Sequence, residues 1–332
     1  MFDFIPDHYF LFVFGLILLI KGGDWFVDAA TGIAKRFKLP ELLIGATVVS
    51  IGTTLPEVMT SALAAASGSG EIAYGNAIGS IICNTALIAA ITITVKPGRA
   101  DKRSLIFPVC FFFGVAAFYA VNAYFFGRFD LWSGIVLLLA FVVYMVVNVL
   151  NMKKNPVEES DEPLDECEIA DDSKYGLVKD IAVLVFGALV IAVGAHLLVK
   201  SATVIATELG MSESVIALTV VALGTSLPEL VTAITALIKG HSALSLGNII
   251  GANIFNLVLV SGVAVTISPF PVPDSTTLFG NAASLVLDIP VMLAVMAILT
   301  IPAIFRGKLS RVQGIALLAI YAAFCVTQFA VL

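Results

Sequence analysis

Long runs of apolar residues, separated by short polar stretches, follow one another along this chain. Runs such as Phe10–Ile20, Leu105–Phe126, Leu131–Leu150 and Leu317–Leu332 approach or reach the roughly 20 residues that a membrane-spanning helix needs. In hydrocarbon the backbone must satisfy its own hydrogen bonds, which favours helices, and the runs lack the short alternating strands of a membrane β-barrel. The pattern therefore predicts an all-α polytopic membrane protein.

Hydropathy predicts ten transmembrane helices in this chain. They cover residues 8–34, 40–67, 71–95, 104–126, 130–151, 176–206, 213–238, 243–267, 280–304 and 312–331. No basic n-region or small-residue cleavage site precedes the first run, so we read it as a retained helix and not as a cleaved signal peptide. Hydrophobic residues make up 59% of the 332 positions and charged residues only 13%, a composition suited to lipid.

A polar stretch between the fifth and sixth helices divides the chain into halves. It contains Asn155-Pro156 and an acidic run formed by Glu158, Glu159, Asp161 and Glu162. This composition is typical of a solvated linker. We therefore predict a first five-helix unit at residues 1–151, an acidic linker at 152–175 and a second five-helix unit at 176–332.

Lysine and arginine predict the orientation of the helices. Fifteen of them fall in alternate loops, whereas Arg128 is the only one in the loops of the opposite side. By the positive-inside rule the first set of loops, which includes the acidic linker, is cytoplasmic, and both termini lie outside. We expect a multi-pass protein of the cell membrane (plasma or inner membrane) that contacts the lipid bilayer and has no nucleic-acid partner.

Five charged or titratable residues fall inside the first and sixth helices: Lys21, Asp24, Asp28, His196 and Lys200. They could form a proton or ion path, because ionisable residues within a membrane are often functional. The alternative, which we favour, is that Lys21 pairs with Asp24 on one helix face, while the others reach the interface or face the bundle interior.

An internal repeat emerges when the chain is compared with itself at an offset of 172 residues. Residues 45–57 (GATVVSIGTTLPE) align with 217–229 (ALTVVALGTSLPE), and residues 75–84 (GNAIGSIICN) align with 247–256 (GNIIGANIFN). About seventeen of the forty positions from 45 to 84 are identical. Five helices is an odd number, so the second unit enters the membrane inverted. This plan is common in secondary transporters, whose substrate site lies at the repeat interface near mid-membrane.

The repeated glutamates Glu57 and Glu229 are the leading candidate functional residues. Each lies near the middle of an apolar span without a lysine or arginine one helical turn away. A carboxylate in the membrane interior costs several kcal/mol unless it is paired or ligated, and two brought together repel unless a cation lies between them. Two carboxylates with neutral oxygens suit Ca²⁺, which prefers about 6–8 oxygen ligands.

Residues around the glutamates fit such a site. Pro56 and Pro228 free carbonyl groups one turn earlier, at Gly52–Thr53 and Gly224–Thr225, and the glycines loosen the same turn. Further oxygens come from side chains at repeated positions, namely Thr53, Thr54, Thr225, Ser226, Asn84 and Asn256. Gly79 and Gly251 permit close helix packing, which is the usual role of Gly-x-x-x-Gly and is compatible with a site.

At these residues the sequence resembles the calcium/cation antiporter superfamily, specifically its prokaryotic sodium/calcium exchanger branch. The resemblance covers nearly the whole chain, including ten spans, two five-helix repeats, a short acidic central loop and both repeated motifs. It implies electrogenic exchange of roughly three Na⁺ for one Ca²⁺ by alternating access. The only ions or cofactors it implies are the transported Ca²⁺ and Na⁺.

The resemblance also implies a ligand set. It makes Glu57 and Glu229 the principal Ca²⁺ ligands, helped by main-chain oxygens of Thr53 and Thr225. The remaining candidates are the carbonyl groups of Ser50 and Ala222 for Na⁺, the hydroxyl groups of Thr54 and Ser226, and the side chains of Ser80, Asn84 and Asn256.

Two positions depart from the family. Asn256 stands where a carboxylate is common, and Ala252 stands where a serine is common. An amide leaves the site charge unchanged if the family's carboxylate is protonated when the cation binds. Otherwise the Na⁺ ligand set is depleted and the stoichiometry, the sodium affinity or the counter-ion differs.

The sequence leaves three alternatives to Na⁺/Ca²⁺ antiport. Exchange of Ca²⁺ for H⁺, or of another cation pair, stays open because of Asn256 and Ala252. A passive cation channel fits less well, because channels usually repeat around a central pore whereas an inverted pair suggests alternating access. An enzyme is the weakest alternative, since the chain has neither HExxH nor a paired-aspartate motif.

Overall fold

The computed structural model describes residues 7–37, 39–98, 100–154, 174–208, 222–275 and 277–331. It is helical almost throughout, and we number the helices α1 to α10 in chain order. Their bounds are α1 Asp7–Arg36, α2 Glu41–Ala66, α3 Gly70–Val95, α4 Lys102–Phe126, α5 Leu131–Lys154, α6 Lys174–Glu208, α7 Leu227–Ile238, α8 Ser242–Ile267, α9 Ser284–Arg306 and α10 Arg311–Val331.

The predicted all-α membrane fold is confirmed. Nine of these helices are long and apolar enough to cross a membrane, counted over the described ranges alone. The exception is α7, an apolar helix of 12 residues that follows a short helical turn, Ala222–Thr225. The first part of the predicted seventh span, 213–221, lies outside the described residues, as do residues 155–173 of the predicted linker.

Helices α1 and α6 pack side by side through paired glycines. A Cβ atom added to Gly15 would lie 2.9 Å from the carbonyl oxygen of Gly194, and one added to Gly187 would lie 3.1 Å from that of Gly22. The repeat offset of 172 residues relates Gly15 to Gly187 and Gly22 to Gly194. It therefore exchanges the two contacts, as expected when two repeats are related by a two-fold axis.

Contacts between loops follow the predicted alternation of sides. Strand β1 (Arg128–Phe129), after α4, pairs antiparallel with strand β2 (Phe270–Pro271), after α8. On the other face, the amide of Ala100 donates to Gly307 O at 3.0 Å, and Glu41 lies 2.7 Å from His241 Nδ1. Each contact joins two loops that the ten-helix map assigns to one side. A small hairpin, β3 (Thr277–Leu278) with β4 (Asn281–Ala282), precedes α9.

The apolar side chains form two separate cores. The larger core joins α2 to α5 with α7 to α10, whereas the smaller one joins α1 and α6 with the adjoining edges of α2, α7 and α8. The helix pair α1/α6 therefore lies against the rest of the bundle as a separate layer.

The predicted ion pair between Lys21 and Asp24 is wrong. Asp24 pairs instead with Lys239 at the end of α7, whose ammonium nitrogen lies 3.4 Å from Asp24 Oδ1 and 2.7 Å from Asp28 Oδ1. Lys21 has no ion-pair partner within the part of the chain that is described. Spacing along one helix suggested the local pair, but the aspartates face the end of a neighbouring helix.

Candidate cation-binding site

Two fully buried carboxylates meet between α2 and α7. Glu57 lies in α2 and Glu229 in the first turn of α7, and these helices contact each other. Both side chains have an exposure of 0%. Their carboxyl groups are close enough to interact electrostatically, and the Thr53 hydroxyl lies beside that of Glu229. The structure therefore brings together the two glutamates that the repeat singled out.

Many polar atoms around these carboxylates lack a hydrogen-bond partner within the described ranges. They include both carboxylate oxygens of Glu57 and of Glu229, both amide atoms of Asn84 and of Asn256, and the hydroxyl oxygens of Thr54 and Ser226. Buried polar groups are almost always hydrogen-bonded, and a buried carboxylate without a partner is costly. A cluster of such oxygen atoms fits a cation as its partner.

The amide residues occupy matching places in the two repeats. Asn84 begins a π-helical segment of α3, Asn84–Ala89, and Asn256 begins a π-helical segment of α8, Asn256–Val260. Single π-helical turns within α-helices are frequent at functional sites. The α3 segment contacts α7, and the α8 segment contacts α2 and α3, so each segment contacts a helix that carries one of the glutamates. Sequence reasoning missed these segments, although the repeated asparagine marked their first residue.

The other predicted site residues lie on the same elements. Ser50, Thr53 and Thr54 are buried on α2, and Ser80 is buried on α3. In the second repeat Ser226 is buried and Thr225 is partly exposed. The backbone of Ala222 belongs to the turn before α7, and its side chain lies outside the description.

The two copies of the Gly-Thr-x-Leu-Pro-Glu motif differ in backbone conformation. In the first copy α2 continues as a helix through Pro56. In the second copy the helix is interrupted at Ser226 (φ −91°, ψ 7°), and Pro228 stands in the first turn of α7. Proline is tolerated in a first turn because its missing N–H has no helical partner there.

The repeated glycines allow helices to approach the motif closely. A Cβ atom on Gly251 would meet the Ser50 hydroxyl and lie 2.5 Å from Ala46 Cα, which confirms close packing of α8 on α2 at that position. At the repeat offset, the positions that match Ala46 and Ser50 are 218 and 222, and these would be the neighbours of Gly79. Position 218 lies outside the described residues and position 222 lies at their edge. The predicted packing at Gly79 therefore stays a prediction.

The motif glycines Gly52 and Gly224 make room for the α1/α6 pair. A Cβ atom on Gly52 would lie 3.0 Å from Phe26 Cζ on α1, and one on Gly224 would meet the side chain of Val199 on α6. These glycines thus permit the pair to pack against the motif. This contact explains them better than the loosened turn predicted from the sequence, since α2 stays helical at Gly52.

The donor atoms of the site are all oxygens or amide groups. Across the described ranges, no three histidine, cysteine, aspartate or glutamate side chains form a metal-binding group. Carboxylate, hydroxyl and carbonyl oxygens suit hard cations such as alkali and alkaline-earth ions, whereas thiolates and imidazoles suit transition metals. The arrangement favours reversible binding of a hard cation by a carboxylate pair.

Comparison with known proteins places both halves of the chain in one family. Residues 8–150 and 179–330 each match the family described as sodium/calcium exchanger protein. The sodium/calcium exchanger MaX1 of Methanosarcina acetivorans is 30% identical over 98% of this chain and 99% of its own. An uncharacterized membrane protein of Methanocaldococcus jannaschii is 34% identical over 93% of this chain and 94% of its own.

A solved structure agrees with this match. The sodium-calcium exchanger NCX_Mj, soaked with Na⁺ and Sr²⁺, superposes with a TM-score of 0.79 at 33% sequence identity. The similarity covers 95% of this chain and 96% of that one. The likeness therefore extends to the whole transmembrane fold and is not confined to the motifs.

Proposed function

The chain belongs to the sodium/calcium exchanger protein family, and from that premise we propose that it exchanges Na⁺ for Ca²⁺ by alternating access. The observation that carries the proposal is the pair of buried carboxylates, Glu57 and Glu229, whose four oxygens have no hydrogen-bond partner in the described chain. The names of MaX1 and NCX_Mj, both sodium/calcium exchangers, support the same ion pair.

Glu57 and Glu229 supply the negative charge of the proposed site. Main-chain oxygens of Thr53 and Thr225 complete the Ca²⁺ ligands. Further oxygen atoms bind Na⁺ or complete the coordination shell of either ion. They are the carbonyl groups of Ser50 and Ala222, the hydroxyl groups of Thr54 and Ser226, and the side chains of Ser80, Asn84 and Asn256. Both ions need the same carboxylates, so they bind in turn and not together.

The same carboxylates couple the two fluxes. Two unneutralised carboxylates are costly within the membrane, which disfavours movement of the unloaded site between the two sides. Bound Ca²⁺ or Na⁺ removes that cost, so the site changes sides only when it is loaded. Coupled exchange follows from this charge balance, and the proposal needs neither a further cofactor nor an enzymatic step.

We further propose that ten helices form two inverted units, residues 1–151 and 176–332, with both termini outside and the acidic linker 152–175 in the cytoplasm. The two separate family matches, one in each half, support this division. The loop contacts between α4–α5 and α8–α9, and between α3–α4 and α9–α10, support the alternation of sides. The excess of lysine and arginine on one side supports the orientation in the cell membrane.

Ca²⁺/H⁺ exchange is the second candidate, kept open by Asn256 and Ala252, which stand where the family commonly has a carboxylate and a serine. Ca²⁺ uptake by proteoliposomes distinguishes the two functions. We expect an outward Na⁺ gradient to drive Ca²⁺ uptake and a pH gradient without Na⁺ to leave it at background. Uptake driven by the pH gradient alone would contradict the proposed ion pair, and a leak that needs neither gradient would indicate a channel.

A further inference from the structure

Two asparagines at the same place in the repeat contact α2 at different points along its length. Asn76 of α3 donates from Nδ2 to the main-chain oxygen of Glu57 at 3.2 Å and to Ser61 Oγ at 2.8 Å. Asn248 of α8 instead accepts through Oδ1 from the hydroxyl groups of Ser50 and Thr53, each at 3.3 Å. The repeat relates the two asparagines, but these bonds of Asn76 stay within its own repeat, whereas those of Asn248 cross to the other repeat.

Asn248 is held firmly in this position. Its side chain has an exposure of 0%. The α8 backbone lies so close to α2 that a Cβ atom on Gly45 would be 2.8 Å from Asn248 N. The Ser50 hydroxyl also lies 3.0 Å from Asn248 O, although its nearest acceptor is Gly45 O at 2.7 Å. The close backbone contact keeps the Asn248 side chain beside α2, where its amide nitrogen has no hydrogen-bond partner within the described chain.

The Thr53 hydroxyl has one proton and, besides the neighbouring Glu229 carboxyl group, two acceptors. One is Asn248 Oδ1 at 3.3 Å, and the other is the main-chain oxygen of Ser50 at 3.4 Å. That Ser50 oxygen is a proposed Na⁺ ligand. A proton donated to it would occupy a lone pair and direct positive charge toward a bound cation, which weakens cation binding.

We propose that Asn248 is a positioning residue that draws the Thr53 proton away from Ser50 O and so keeps this carbonyl available to the monovalent cation. The inference rests on the proposed Na⁺/Ca²⁺ exchange and deepens it, because it assigns Na⁺ affinity to a side chain that touches neither ion. Ca²⁺ binding depends mainly on Glu57 and Glu229, so it changes much less than Na⁺ binding when Asn248 is replaced.

The test is a double-mutant cycle between Asn248→Ala and Thr53→Val in reconstituted protein. A hydrogen bond of this kind is worth about a threefold to tenfold change in binding. Asn248→Ala should therefore raise the half-saturating Na⁺ concentration of Ca²⁺ transport by about that factor, while the Ca²⁺ Kd from calorimetry changes by less than about twofold. In the Thr53→Val background no competing proton exists, so adding Asn248→Ala should leave the Na⁺ dependence unchanged.

Asn122→Ala is the matched control, since Asn122 is a buried asparagine whose side chain, among the described residues, donates within α4 to Phe118 O. It should leave the Na⁺ dependence as in wild type. Asn248→Ser replaces Asn248→Ala if the alanine variant does not insert. Three results would overturn the inference. They are an unchanged Na⁺ dependence of transport in Asn248→Ala, equal weakening of Na⁺ and Ca²⁺ binding in that variant, and the same shift in half-saturating Na⁺ concentration when Asn248→Ala is added to Thr53→Val. Wild-type protein without Na⁺-driven Ca²⁺ flux would instead contradict the proposed function.

Discussion

Replacing either buried glutamate by glutamine tests the proposed site most directly. Glu57→Gln turns one carboxylate oxygen into an NH₂ group, which repels a cation, and lowers the negative charge of the pair by one. Loss of one member of a buried charge interaction costs about 2–5 kcal/mol, and each 1.4 kcal/mol is about a tenfold change in affinity. We therefore expect Ca²⁺ binding to weaken by about 30-fold to a few thousand-fold, and the same for Glu229→Gln.

The ion-free protein should respond in the opposite direction. Glutamine at position 57 removes the repulsion between two carboxylates, and its NH₂ group can donate to the Glu229 oxygens, which have no partner among the described residues. The ion-free variant should therefore unfold at a temperature no lower than the ion-free wild type. This expectation separates loss of a ligand from loss of the fold.

The assay is thermal unfolding in detergent with and without Ca²⁺, together with calorimetric titration. At a Ca²⁺ concentration of about 100 times the wild-type Kd, binding stabilises the wild type by about 2.7 kcal/mol. A variant with about 100-fold weaker binding retains only about 0.4 kcal/mol. Glu71→Gln is the control, because it makes the same chemical change on an exposed residue of α3. Near-wild-type Ca²⁺ affinity in either glutamate variant would refute the assigned site.

Three further predictions follow from the same structure. Asn256→Asp should retain Ca²⁺ binding but make transport depend more steeply on pH between about 6 and 9, because a third buried carboxylate exchanges protons. If the pH profiles of the variant and the wild type are parallel, Asn256 lies outside the site. Gly247→Ala should cost about 1–3 kcal/mol of stability, because its Cβ would meet the Leu42 carbonyl, whereas Gly114→Ala should be nearly neutral. Equal melting temperatures for the two variants would contradict the close packing at Gly247. In a background without native cysteines, a single cysteine is placed in the Lys96–Arg103 loop or in the 152–175 linker. Both should react with an impermeant thiol reagent only from the cytoplasmic side. Labelling of the two loops from opposite sides would contradict the ten-helix map.

The sequence alone predicts the features that follow from composition and from the internal repeat. Apolar runs locate the helices, and the offset of 172 residues alone pairs Glu57 with Glu229. These predictions succeed because lipid forces a nearly one-to-one relation between apolar length and a spanning helix. A buried charge without a local partner is equally conspicuous in the sequence.

Features that depend on tertiary contacts could not be predicted in this way. The local pair of Lys21 with Asp24 was plausible by spacing, yet Asp24 pairs with Lys239, which is 215 residues away in sequence. Asn76 and Asn248 have the same motif around them, but Asn76 donates to α2 of its own repeat, whereas Asn248 accepts from α2 of the other repeat. The repeat predicts equivalent residues, but inverted repeats are not equivalent in a single conformation of the protein, so equivalent residues meet different neighbours.

The charge of the site links its chemistry to its transport. With Asn256 neutral, Glu57 and Glu229 give a charge of −2, which one Ca²⁺ or two Na⁺ neutralise. A third Na⁺ leaves one positive charge, so its binding depends on neutral oxygens alone. Ser80 offers one such oxygen in the first repeat, whereas Ala252 offers none at the matching place. In the proposed site we therefore expect the neutral ligands, with Ser80 and the Ser50 carbonyl among them, to determine the number of sodium ions per calcium ion, and Asn248 to contribute by keeping that carbonyl available.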